Sequence, residues 1–133
     1  MMEKKILFVD DEERILDMLE KLFSRANYTV RCAESAEKAL DILRQESIMV
    51  MALDLKLPGM NGVELCKHIR KKNPICIIYA LTGYADLFSL LECRGAGFDD
   101  LFVKPVNPEV LLKAFQEAFE KIERWEVPSY DLM

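Results

Sequence analysis

The stretch at residues 48–62, IMVMALDLKLPGMNG, decides the fold. It opens as an unbroken apolar run, Ile48 to Leu53, and sets one carboxylate, Asp54, where that run stops. A run without alternation reads as a strand covered on both faces, as in a parallel sheet under helices. An unpaired charge inside such a layer is strongly disfavoured, so Asp54 belongs at the strand's carboxyl end, facing a crevice. Pro58-Gly59 and Asn61-Gly62 follow at once, two turn signals that take the chain out of the sheet in a tight loop. Alone, an Asp in this place reads equally well as a turn cap. The residues outward from it bear on the choice.

Upstream, residues 4–10, KKILFVD, form a first strand that ends in the acidic run Asp10-Asp11-Glu12-Glu13. Acids at the start of a helix favour its positive end, which accounts for Glu12 and Glu13. Asp10 and Asp11 stand at the strand end itself and are open to another role. A helix follows over about 13–26 with Ile15, Leu19, Leu22 and Phe23 on one face, and Asn27 stops it. Residues 28–33 make a short second strand. Ser35 caps a helix reaching about Glu46, with Ala36, Ala39, Leu40 and Leu43 inward.

Downstream of the central strand, Asn61 caps a third helix with Glu64 at the capping-box position, and Val63, Cys66 and Ile69 line its inner face. Arg70, Lys71 and Lys72 place positive charge in its last turn, read here as helix termination and not as a binding patch. Residues 75–81, ICIIYAL, are a fourth, fully apolar strand ending in Thr82-Gly83. A helix of weaker periodicity covers about 86–94, broken by Gly95 and Gly97. Residues 101–103 are a short last strand ending in Lys104-Pro105. Asn107-Pro108 opens the final helix as cap and first residue, with Leu112, Phe115, Phe119 and Ile122 inward to about Trp125.

Five β-α units in succession imply one parallel sheet with helices on both faces, joined right-handedly. Ligands of such sheets sit outside the carboxyl ends of the strands. Those ends carry Asp10 and Asp11, Asp54, Thr82 and Lys104. Three carboxylates sharing a crevice repel one another, and without a counter-ion at least one pKa rises. A hard divalent cation relieves the repulsion, and an all-oxygen site with few protein ligands suits Mg²⁺. With charge neutralised, Asp54 is placed to act as a nucleophile toward a phosphoryl donor. Lys104 would then stabilise the phosphoryl oxygens and Thr82 would donate a hydrogen bond.

Composition excludes other classes. At 133 residues the chain is one domain. Its 51% apolar and 31% charged content is that of an ordinary globular protein. A net charge of −5 with no basic block argues against direct nucleic-acid binding or a polybasic membrane site. No targeting leader and no run long enough to span a bilayer is evident, so a cytoplasmic location is expected. Cys32, Cys66, Cys76 and Cys93 form no CxxC pair and read as small hydrophobes. His68, the only histidine, makes with Cys66 a C-x-H pair too small for a metal site.

FVDD at 8–11, LDLKLPGMNG at 53–62, LTG at 81–83, GFDD at 97–100 and VKP at 103–105 together resemble the receiver domains of two-component response regulators. The resemblance implies a doubly wound, flavodoxin-like sheet of strand order 2-1-3-4-5 in three α/β/α layers. It implies a receiver domain over 3–125, with 126–133 as a short tail or the start of a linker. Asp54 would be the phosphoacceptor. Asp10, Asp11, Asp54 and the backbone carbonyl of Lys56 would hold Mg²⁺, and the Lys104-Pro105 bond would be cis. The implied partners are a sensor histidine kinase or phosphotransfer protein and a downstream protein target or effector domain. A homodimer through helix four, strand five and helix five is a further implication, with Leu87, Phe88, Leu90 and Leu91 supplying apolar surface. The family's switch aromatic lies three residues before the Lys. Leu101 stands there, and neighbouring Phe102 points to the other face, into the core. Lys56 and Tyr84 occupy the positions that modulate phosphoryl lifetime in related proteins; a bulky Tyr84 is expected to hinder water. The competing reading is a module of the same fold that works by protein contact without phosphorylation. A phosphatase is disfavoured because Lys56 stands where such enzymes carry a second Asp.

Overall fold

The computed structural model describes residues 3–83 and 90–126. Five strands, β1 (Lys5–Val9), β2 (Thr29–Ala33), β3 (Val50–Asp54), β4 (Ile77–Thr82) and β5 (Asp100–Val103), alternate with α1 (Glu13–Arg25), α2 (Ala36–Gln45), α3 (Gly62–Lys72), α4 (Leu90–Ala96) and α5 (Pro108–Trp125). All strand pairs are parallel and the order is β2-β1-β3-β4-β5, as the resemblance implies. β1, β3 and β4 are the inner strands and carry buried side chains throughout their apolar length, which is why none of them alternates.

Two cores lie on the two faces of the sheet. On one face Ile6, Phe8, Val50, Ala52 and Tyr79 meet α1 and α5; on the other Leu7, Met51, Leu53 and Ile78 meet α2, α3 and α4. Phe115 anchors the first core, its ring 5.0 Å from Phe23, 5.3 Å from Tyr79 and 5.4 Å from Phe8. The helix faces differ in detail from the periodic reading. Leu16 is buried in α1 while Ile15 and Leu22 are half-buried, and in α5 Leu111 is buried while Leu112 is half-buried. Leu40 and Leu43 of α2 are half-buried as well. Phe102 packs against the α1/α5 core with its ring 5.5 Å from Tyr79, whereas Leu101 packs on the opposite core. The expected facing of the two residues therefore holds.

Local signals account for most element ends. Ser35 Oγ accepts from Lys38 N–H at 3.2 Å, and Asn107 Oδ1 accepts from Glu109 N–H at 2.8 Å. Asn61 and Glu64 form the reciprocal capping box. Asn27 leaves α1 with φ 72°. β4 begins at Ile77, not Ile75: Pro74 and Ile75 form a turn, and Ile75 is 71% exposed. β3 begins at Val50, with Ile48 buried ahead of it. Gly95 lies inside α4 and does not break it; Gly97 does, at φ 104°. The expected first turn of this helix, with Leu87 and Phe88, lies outside the described residues, as do Tyr84 and 127–133.

Candidate functional site

The carboxyl ends of β1, β3 and β5 are each held by a neighbouring strand. Asp10 N–H donates to Ala33 O at 3.1 Å, Leu55 N–H to Leu81 O at 3.3 Å, and Lys104 N–H to Thr82 O at 2.8 Å. Side chains that project from these ends are thereby fixed relative to one another. The loop after β3 returns against the same place. Gly62 N–H donates to Leu55 O at 2.9 Å, and a Cβ on Gly62 would lie 2.2 Å from Asp54 O and 2.8 Å from Leu55 Cα. Only glycine permits α3 to start this close to the strand end.

The polar residues expected here do converge. Asp10, Asp11 and Asp54 each offer a carboxylate oxygen, and these lie within 4.8 Å of one another. Asp10 and Asp54 are buried, while Asp11 is exposed and forms the solvent side. Lys104 Nζ donates to Asp10 Oδ2 at 2.6 Å and to Asp54 Oδ2 at 3.3 Å. The Lys104–Pro105 bond is cis. Thr82 ends β4 fully buried, one residue beyond Leu81, the register partner of Asp54. Lys56 enters through its backbone: its N–H donates to Asp54 Oδ1 at 3.2 Å, while its side chain is exposed.

Electrostatics follow from this crowding. Burial pushes the Asp54 carboxyl from its ordinary 3.8 up to about 6, and the charge of Asp10 adds to the rise. The Lys104 ammonium and the Lys56 amide pull the other way without cancelling it. Burial alone would lower Lys104; its hydrogen bond to Asp10, with the charges of Asp10 and Asp54, outweighs that and holds it above its ordinary value. One ammonium thus pairs with two of the three clustered carboxylates. The donor set is all oxygen, open on the Asp11 side and short of positive charge, which fits a hard divalent cation. It is the one grouping of potential metal-ligating side chains among the described residues.

Two contacts were not legible in the sequence. Glu12 serves through its backbone: its N–H donates to Asp10 Oδ1 at 2.9 Å and orients that carboxylate, while its side chain makes no cap bond. Arg70, read as a helix-ending charge, reaches across to the loop before β5. The four cysteines are free, and burial pushes the Cys66 thiol up to about 12.

Comparison with known proteins adds a family to this geometry. The family model described as "Response regulator receiver domain" matches residues 6–116. A CheY-like response regulator receiver domain protein from Methanospirillum hungatei JF-1 superposes with a TM-score of 0.86 at 33% identity, over 92% of this chain and 98% of that one. The transcriptional regulatory protein ResD of Bacillus subtilis is 38% identical over 112 residues, 84% of this chain and 46% of ResD. A cyclic di-GMP phosphodiesterase of Thermotoga maritima is 35% identical over 106 residues, 80% of this chain and 28% of that protein. This chain thus spans less than half the length of either of these two curated relatives.

Proposed function

The chain belongs to the response regulator receiver domain family of two-component systems, and on that premise we propose that Asp54 accepts a phosphoryl group from a phosphohistidine in a Mg²⁺-dependent reaction. The observation that carries the proposal is the Lys104 ammonium bridging Asp10 and Asp54 at the carboxyl ends of adjacent strands. In this reading Asp10, Asp11, Asp54 and the Lys56 carbonyl hold the ion. When bound it supplies charge neutralisation that lets an anionic donor approach a carboxylate.

The remaining chemistry rests on this chain's own side chains. An oxygen of Asp54 forms the new P–O bond as the P–N bond to the donor imidazole breaks, and the electron pair leaves with that nitrogen. The Asp54 oxygen not held by Lys56 N–H points toward Lys104, so the ammonium sits beside the developing charge. The Thr82 hydroxyl supplies a further donor to the transferred group. Burial of Asp54 and Thr82 limits the approach of hydrolytic water.

The receiver unit of the proposal runs over residues 3–125, with 126–133 as tail or linker. Its catalysis is confined to its own phosphorylation and dephosphorylation. Its partners are a sensor histidine kinase or phosphotransfer protein on the input side and a target protein or effector domain on the output side, in the cytoplasm. Leu90, Leu91, Val103 and Val110, all more than half exposed, support a contact or homodimer face on α4, β5 and α5. The test is intact mass after incubation with acetyl phosphate, with and without Mg²⁺, beside Asp54→Asn. A gain of about 80 Da, one phosphoryl group, that needs both the ion and Asp54 supports the proposal. A gain that survives Asp54→Asn overturns it.

A further inference from the structure

Arg70 does more than end α3. Its Nε–H donates to Gly97 O at 2.8 Å, Nη1 to Pro74 O at 3.1 Å and to Cys76 O, and Nη2 to Asp99 Oδ2 at 2.6 Å. The same Asp99 oxygen accepts from Ile78 N–H at 2.8 Å, and Asp99 N–H donates to Ile78 O at 2.8 Å. One guanidinium therefore joins the end of α3, the turn into β4 and the loop between α4 and β5. A planar fork with five donors can hold so many acceptors at once; an ammonium cannot.

The segment it grips is the C-terminus of α4. Phe98 N–H donates to Cys93 O at 3.2 Å and Gly97 N–H to Arg94 O at 3.1 Å, with Gly97 left-handed, so α4 ends in a Schellman motif. The Gly97 carbonyl is the one Arg70 Nε takes. A Cβ on Gly97 would lie 2.8 Å from Arg70 Cγ, so the glycine serves the contact as well as the turn. Cys66 Sγ–H reaches Ala96 O at 3.3 Å, a second tie to the same end. At the other end of the described helix Leu90 is 65% and Leu91 83% exposed. Ile78 is the second residue of β4 and Thr82 its last, which puts the clamp about 13 Å along the strand from the acceptor site.

We propose that Arg70, through Gly97 and Asp99, is a positioning residue that fixes the C-terminal end of α4 as a pivot. A response of the α4–β5 face to loading of Asp54 is then a swing of the Leu90–Leu91 end of the described helix about a fixed last turn. The pivot stands on the contacts above; the swing also rests on the phosphoacceptor reading.

Amide hydrogen exchange read residue by residue tests both. In unloaded Arg70→Ala, the Gly97, Phe98 and Ile78 amides exchange roughly ten- to a hundredfold faster, the expected effect of losing charge-assisted hydrogen bonds in a locally opening segment. Phe8 and Val50, deep in the sheet, keep their wild-type rates. Arg70→Lys restores part of the protection and Asp99→Asn loses part of it. In the wild type loaded by acetyl phosphate, exchange changes at Leu90 and Leu91 and not at Gly97 and Phe98; in Arg70→Ala the change spreads along α4 while the mass gain at Asp54 is unaltered. Unchanged Gly97 and Phe98 protection in unloaded Arg70→Ala overturns the pivot, as does an equal acceleration at Phe8 in both Arg70 variants. A wild-type response as large at Phe98 as at Leu91 overturns the swing. Absence of any mass gain in the wild type overturns the phosphoacceptor reading and leaves the unloaded comparison to decide the pivot.

Discussion

Replacing Asp54 by Asn stabilises the metal-free protein above pH 6. The folded Asp54 carboxyl is raised from 3.8 to about 6, so the folded state holds this proton more tightly than the unfolded state. Below about pH 3 the group is protonated in both states and contributes nothing to their difference. As pH rises from about 4 to about 6 the unfolded chain releases the proton first, and folding stability falls; above that window the penalty is constant. Two pKa units correspond to about 3 kcal/mol for an isolated group, an upper bound. Solvent at the Asp11 side and charge sharing through Lys104 screen the interaction, so about 1–2 kcal/mol is expected. Asn keeps the size and removes the charge. Urea unfolding in EDTA, from about pH 3 to about pH 8, should give coincident free energies for the two proteins at the acid end. A gap in favour of Asp54→Asn should open between pH 4 and 6 and then level. A variant no more stable than wild type at pH 7.5, or a gap independent of pH, would refute the reasoning.

Further predictions concern packing and the site's cation. Gly62→Ala forces a methyl onto the Asp54 carbonyl and the Leu55 Cα, and should lower unfolding free energy by about 1–3 kcal/mol in urea titration. Phe115→Ala empties the place where three other rings meet and should cost about 3–5 kcal/mol by the same assay. Lys104→Gln leaves Asp10 and Asp54 without their ammonium. Its phosphorylation rate with acetyl phosphate, followed by mass, should fall by about a hundredfold or more.

The sheet and the convergence of polar residues at the candidate site were legible because the same feature marks both. In β1, β3 and β4 an apolar run stops at a polar residue, and doubly wound topology brings those stops together. Boundaries were less legible where local chemistry overrode the run. Ile75 is as apolar as Ile77, yet it follows Pro74, whose carbonyl is taken by Arg70, and it turns outward. Gly95 reads as a breaker but has open space around it inside α4, whereas Gly97 is required by a left-handed turn pressed on Arg70. Leu16 and Leu111 were missed because each lies one position from a residue that fits the same stripe. The role of Arg70 could not be read from spacing, since its partners Gly97 and Asp99 stand 27 and 29 residues away and three of its acceptors are backbone carbonyls. Glu12 was hidden for a related reason: its backbone acts, and not its side chain.

An acyl phosphate is reduced by borohydride to an alcohol, which converts a phosphorylated aspartate into homoserine. The most direct test is therefore to load the protein with acetyl phosphate and Mg²⁺, reduce it, digest it and sequence the peptides by mass spectrometry. The account predicts homoserine at position 54, and none when Mg²⁺ is withheld. Homoserine at Asp10, Asp11 or elsewhere in place of position 54 would contradict it.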